Sequence, residues 1–198
     1  MAKVLVIRLS AIGDVAMTVP VIYSAAKANP EDSFTVLTQA FLMPLFMNRP
    51  PNVEVIGINT KGAEKGLIGL LKFISALLKF DFDVILDLHN VIRTIIICTF
   101  FRLNGKRVFV LDKARKERKR LTAIKGKRLY PLRPVIVRYA DVFRAAGLNY
   151  TETFTSLYEE FPAELSGMAS VAGIKKGKWI GVAPFAKHRG CLLYTSDA

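Results

Sequence analysis

The chain is poor in cysteine, histidine, tryptophan and acidic residues, and each scarcity excludes something. Among its 198 residues there are 2 cysteines, Cys98 and Cys191. Two cysteines cannot staple a disulfide scaffold, and no CxxC pair is present for zinc or thiol redox chemistry. A reduced, cytoplasmic setting is therefore expected. The 2 histidines are His89 and His188, and no HExxH occurs, so no metal site is expected. No uncharged run reaches the roughly 18 residues that a membrane-spanning helix needs. The most apolar stretch, Ile92 to Leu103, is interrupted by Arg93 and Arg102. The opening residues are not expected to form a signal peptide, because their apolar run is short and Arg8 and Asp14 follow it.

What is present is a core and an uneven charge. Apolar residues make up 52% and charged residues 23%, the balance of a folded chain rather than a disordered one. The length suits one domain, or one domain and part of another. Basic residues outnumber acidic ones by 29 to 16, a formal charge of +13. The excess is local: Arg102 to Arg128 holds 12 basic and 2 acidic residues, and the remainder 17 and 14. The sequence is thus a near-neutral domain carrying one basic segment that must meet an anion or water.

Short β-branched runs alternate with helical patterns. Strands are expected at Lys3–Leu9, Phe34–Thr38, Val53–Ile58, Asp83–Leu88, Lys106–Leu111 and Trp179–Ala183. Helices are expected at Val15–Ala28, kinked by Pro20, at Ala40–Met47, Gly66–Lys79 and Val91–Leu103, and at Pro134–Ala146, closed by Gly147. Residues 151–178 show no convincing strand and read as a connector. Near-continuous apolar strands between helices argue for an α/β fold with a parallel sheet covered on both faces. Ligands of such sheets bind beyond the carboxyl ends of the strands.

Four segments carry residues suited to chemistry. In Ile7–Val15 a strand passes through Ser10 and Gly13 into a helix. The free N–H groups at a helix start favour an ionised carboxylate. Asp14 is therefore either a helix cap or a base able to take a proton from a substrate hydroxyl. With only Gly13 in the turn, no dinucleotide fingerprint is supported. In Asp87–Thr94, His89, Asn90 and Arg93 stand at the end of a strand, where they can hold hydroxyls or phosphate. Capping and turn chemistry by Asp87 and Asn90 is the alternative. The basic window holds Lys113, Arg115, Lys116, Arg118, Lys119 and Arg120. It suits a phosphorylated lipid or sugar, a membrane surface or a nucleic acid, with a solvated loop as the alternative. No aromatics are interleaved there, which weighs against single-stranded nucleic acid. In Gly181–Gly190, Lys187 and Arg189 follow a strand, an arrangement suited to a diphosphate leaving group or to a surface loop.

In this order the segments resemble glycosyltransferase family 9, the heptosyltransferases of bacterial lipopolysaccharide core assembly. KVLVIRLSAIGDVAMTVPVI is similar to that family's opening signature, and DVILDLHNVIRT to its second segment. RYADVFRAAGL resembles its helix before the linker, and WIGVAPFAKHRG the start of its second domain. The resemblance implies a Rossmann-like amino-terminal domain (residues 1–150) of a GT-B fold, a connector (151–178) and the start of a truncated donor-binding domain (179–190). It also implies inverting transfer of a heptose from a nucleotide-sugar, usually ADP-heptose, to the phosphorylated lipid A–core acceptor. No metal or cofactor takes part, the donor being a substrate. Asp14 would be the general base, and Ser10 and Gly13 would shape its turn. His89, Asn90, Arg93, Arg115, Arg118 and Arg120 would face the acceptor, and Lys187 and Arg189 the donor diphosphate. The protein would be peripheral at the cytoplasmic side of the inner membrane, and no nucleic-acid partner is expected. After Gly190 the family continues with Lys, an aromatic and Pro, whereas residues 191–198 read as foreign. The expectation is an incomplete, inactive piece of a transferase. The rival expectation is a non-catalytic module that binds anionic glycolipid, membrane or nucleic acid through residues 102–128.

Overall fold

The structure is a computed structural model, and it describes residues 1–127 and 129–158. Five strands form one parallel sheet: β1 (Lys3–Ile7), β2 (Ser33–Gln39), β3 (Val53–Ile58), β4 (Val84–Asp87) and β5 (Arg107–Val110). Their order is β3-β2-β1-β4-β5, with β1 at the centre. Val4 pairs with Phe34 on one side and Val84 on the other, and Ile7 with Leu37 and Asp87. Since β1 is buried on both faces, its residues alternate between two cores. Val4 and Val6 point into one with Phe34, Ile22, Tyr139 and Phe143. Leu5 and Ile7 point into the other with Ile85, Leu70, Ile74 and Phe101. Each such side chain contributes roughly 1.5–3 kcal/mol on burial.

The helices divide between those cores. The first holds α1 (Ile12–Ala16), α2 (Val19–Ala28) and α6 (Val135–Ala145), and the second α3 (Gly66–Leu78) and α4 (Ile92–Leu103). A 3-10 helix, Ala40–Phe46, joins β2 to β3. β3 crosses the sheet by α3 to reach β4, so the chain reverses its direction of winding between β1 and β4. In a doubly wound sheet that point leaves a crevice at the carboxyl ends.

Two expectations need correction. The single helix kinked at Pro20 is instead two helices, broken at Met17–Thr18. Pro20 has no N–H for the carbonyl of Ala16, so a continuous helix would lose a bond and clash. As the second residue of α2, Pro20 stands where no N–H is needed. The basic window is not a solvated loop throughout, because Arg115–Leu121 forms a helix, α5, none of whose residues is buried. Its acidic residue, Glu117, lies in the first turn, and Arg118, Lys119 and Arg120 in the last, the charge order that a helix dipole favours. The expected strand Trp179–Ala183, and everything from residue 159 onward, lies outside the described residues.

Candidate functional site

β1 ends at Ile7, and the next residues turn across the carboxyl edge of the sheet. Arg8 is buried there, although it is charged. Its Nη1 donates to the Leu88 carbonyl at 2.7 Å, and its guanidinium lies 5.9 Å from the ring centre of Tyr139. Its Nη2 pairs with Oδ2 of Asp14. Asp14 does not cap α1, since the cap position is Ala11 and carries no side-chain bond. The capping alternative is thereby corrected. The Asp14 carboxylate, about half exposed at 47%, is turned to a buried arginine, and no other bond is made to it among the described residues. Oδ1 carries no bond among the described residues.

These groups line a cleft of about 450 Å³ with Ser10, Ala11, His89, Leu111, Lys113, Arg118, Val135 and Arg138. Four cations and one carboxylate give the lining a strong positive balance. Its polar groups are also under-used. Arg8 Nε, His89 Nδ1, Arg138 Nε and the Tyr139 hydroxyl are buried without a hydrogen-bond partner among the described residues. Buried polar atoms are nearly always paired, so four orphans around one cleft mark a surface made to meet a ligand or ordered water.

His89 is held by its backbone N–H, which donates to Asp87 Oδ1 at 2.8 Å. Its Nε2 lies 3.4 Å from Ser10 Oγ. Burial, aided by the charges of Arg8 and Lys113, pushes its pKa down to about 4, so the ring is neutral at neutral pH. Burial, with Arg115 and Arg8 adding to it, also lowers the pKa of Lys113. Burial raises that of the Tyr139 phenol.

The expected site residues divide. Asp14, Ser10, His89 and Arg118 line the cleft. Asn90 does not: its φ is +50°, its N–H donates to Asp87, and its Nδ2 donates to the Leu111 carbonyl at 3.0 Å. Arg93 turns back to the Glu64 carbonyl at 3.1 Å. Both brace loops, Asn90 as the turn-chemistry alternative expects. Asp87 does too, being fully buried and accepting from His89, Asn90 and the Thr94 hydroxyl. Gly13 is not demanded by its turn, since its φ is not positive and a Cβ there would meet nothing within 4 Å. Arg115 lines a neighbouring pocket with Asn90 and Lys113, and Arg120 is exposed on α5. Lys187 and Arg189 lie outside the described residues. Sequence reading missed Arg8, Arg138 and Tyr139. The signal for Arg8 was present, as an arginine closing an otherwise apolar central strand. Arg138 and Tyr139 arrive from α6, more than 120 residues along the chain, and nothing local marks them. Among the described residues no group of three His, Cys, Asp or Glu is placed to hold a metal.

No protein-family model matches the chain, and neither does any curated protein. Solved structures do. A glycosyl transferase family 9 protein from Veillonella parvula superposes with a TM-score of 0.61 at 20% identity, over 88% of this chain and 51% of that one. E. coli heptosyltransferase WaaC with ADP superposes with a TM-score of 0.52 at 22% identity, over 78% and 49%. The same enzyme with ADP-2-deoxy-2-fluoro heptose gives 0.52 at 21%, over 78% and 50%. The chain spans about half the length of these structures. What it shares with them is a fold, the Rossmann-like α/β sheet of GT-B glycosyltransferases, as expected from the resemblance to family 9.

Proposed function

We propose that this chain is the acceptor-side domain of a family 9 glycosyltransferase. In this reading a heptose moves from a nucleotide-sugar, ADP-heptose, to a hydroxyl of the phosphorylated lipid A–core. The observation that carries the reading is the Asp14 carboxylate, standing at the carboxyl end of β1 in a cationic cleft with one oxygen unengaged among the described residues.

The reaction asks for a base beside the acceptor hydroxyl. Asp14 Oδ1 accepts that proton as the acceptor oxygen attacks the anomeric carbon. The bond from that carbon to the diphosphate breaks, and the configuration inverts. Arg8 fixes the carboxylate through Oδ2 and is itself held by the Leu88 carbonyl, so the base is presented in one orientation. Lys113, Arg118 and Arg138 supply positive potential for an acceptor that carries phosphate. Neutral His89 shares a hydrogen bond with Ser10 without adding charge beside Asp14. Arg115 and Arg120 extend the basic surface outward. Lys187 and Arg189 belong to the donor side, where cations would offset the charge of the leaving diphosphate. The protein works in the cytoplasm at the inner membrane, where the lipid of the acceptor is anchored. Residues 1–150 form the acceptor-side domain, 151–178 the connector and 179–190 the start of a donor-binding domain.

The test uses Asp14→Ala in a chain carried on through a donor-binding domain. Transfer is expected to fall by about 10²–10⁴-fold, the usual worth of a positioned base. Binding of the acceptor, read by calorimetry, is expected to survive. Transfer at a near-parent rate would remove Asp14 from the base role.

A further inference from the structure

The outer face of α3 and α4 is more apolar than water alone explains. Both helices bury one side in the same core, through Leu70, Ile74 and Leu77 on α3 and Ile97, Cys98 and Phe101 on α4. Their other sides therefore look the same way, outward from the sheet. On α3 that side carries Ile68 (73% exposed), flanked by Leu71 (38%). On α4 it carries Ile92 (79%), Ile95 (46%) and Leu103 (78%). Single exposed apolar residues are ordinary, but two neighbouring helices presenting large aliphatics in one direction are not.

The charges around this face select its occupant. Neither helix contains an acidic residue. Lys65, Lys72 and Lys79 are exposed along α3, and Arg102 is exposed beside Leu103 on α4. A second copy of the chain would set these cations against their own kind, because the carboxylates flanking α3 are already engaged, Glu64 by the Asn59 N–H and Asp81 by Lys106. An anionic bilayer surface satisfies both features. The aliphatic tips enter the boundary between headgroups and acyl chains, while long basic side chains extend to the phosphates. Among the described residues no helix is long and apolar enough to cross a membrane, so the contact lies on the surface.

We infer that α3 and α4 form a docking face for an anionic lipid bilayer. This deepens the peripheral contact proposed above and names a different surface from the basic helix α5. It does not rest on the transfer reaction.

The purified chain is floated with phosphatidylcholine vesicles, with and without phosphatidylglycerol. It is expected to rise with the anionic vesicles and to bind the zwitterionic ones at least tenfold more weakly. Ile68→Ser/Leu71→Ser and Lys72→Glu/Lys79→Glu are each expected to weaken anionic binding at least tenfold, with an unchanged far-ultraviolet spectrum. Lys116→Glu/Lys119→Glu, on α5, is expected to retain most of it. Two α3 variants that are folded and bind like the parent overturn the inference. So does a loss confined to the α5 variant, which assigns the contact to that helix. So does a parent that ignores vesicles and runs as a dimer which the α3 variants dissociate, because the face then belongs to a second copy. Since the readout is lipid binding, failure here leaves the Asp14 test untouched.

Discussion

At the scale of single residues, the cleft is defined by what burial does to ionisable groups. Arg8 keeps its charge under cover because a carbonyl, an aromatic face and a carboxylate each take part of it. His89 has no such compensation and stays neutral. That difference gives a pH signature. An unfolded chain protonates the histidine near pH 6.5, the folded one only near 4. The folded pKa is the depressed one, so the stability tied to His89 is complete above pH 6.5 and drains away as pH falls towards 4. His89→Gln is expected to flatten that part of the profile when unfolding midpoints are followed from pH 7.5 to 4. An equally steep fall in the variant would mean that another group titrates there.

Glycine offers a second contrast at this scale. Gly147 ends α6 with φ +85°, and a Cβ there would meet nothing within 4 Å. Gly147→Ala therefore pays only for a left-handed backbone, about 1 kcal/mol. Gly13 has equal room but no positive φ, and it sits inside α1. Gly13→Ala is expected to be neutral or to stabilise by up to about 1 kcal/mol. Urea unfolding of the two variants checks the pair. If Gly13→Ala destabilises as much as Gly147→Ala, the turn does need its glycine.

At the scale of elements, the readable and unreadable parts separate by physical cause. β3 and the start of α3 agree with their expected limits, since apolar period and β-branching are local signals. β1, β4 and β5 are shorter than their apolar runs, whereas β2 extends one residue beyond its expected limits at each end. β1 ends at Ile7, although the Arg8 N–H still donates to the Leu37 carbonyl and Leu9 is also buried. Pro20 was read correctly as a disturbance but wrongly as a kink, because sequence alone does not say which turn of a helix a proline will occupy. The basic segment was read by its charge, which conceals that its spacing also permits a helix. In the cleft, Asp14, Ser10 and His89 were legible because they follow the carboxyl ends of β1 and β4. Tyr139 was not, because α6 reads as a plain amphipathic helix and its place over Arg8 is set by packing alone. The outward faces of α3 and α4 were hidden for a related reason. α3 reads as an amphipathic helix with lysines on its outer side, and only the packing reveals that aliphatic side chains stay uncovered among them.

At the scale of the whole molecule, charge and topology set the behaviour. A formal charge of +13 makes the folded chain repel itself, most strongly along the basic segment. Raising sodium chloride from a few tens of millimolar to half-molar, where the screening length falls to roughly 4 Å, is expected to raise the melting temperature. A melting temperature that falls with salt would show that pairs such as Arg133–Asp141 and Lys106–Asp81 outweigh the repulsion.

The central position of β1 bears on synthesis as well. Of the five strands, the one that two others must flank is made before the rest. β2 follows closely, but the partner on its other side, β4, begins at Val84. At about 5–20 residues per second, that partner emerges roughly 4–16 s after β1. Throughout that interval the middle of the future sheet is an open edge, and Leu5 and Ile7 await the half-core that α3 and α4 will complete. The nascent chain thus carries an unpaired apolar edge until β4 is made, and the reversal of winding that opens the cleft is also what keeps that edge waiting.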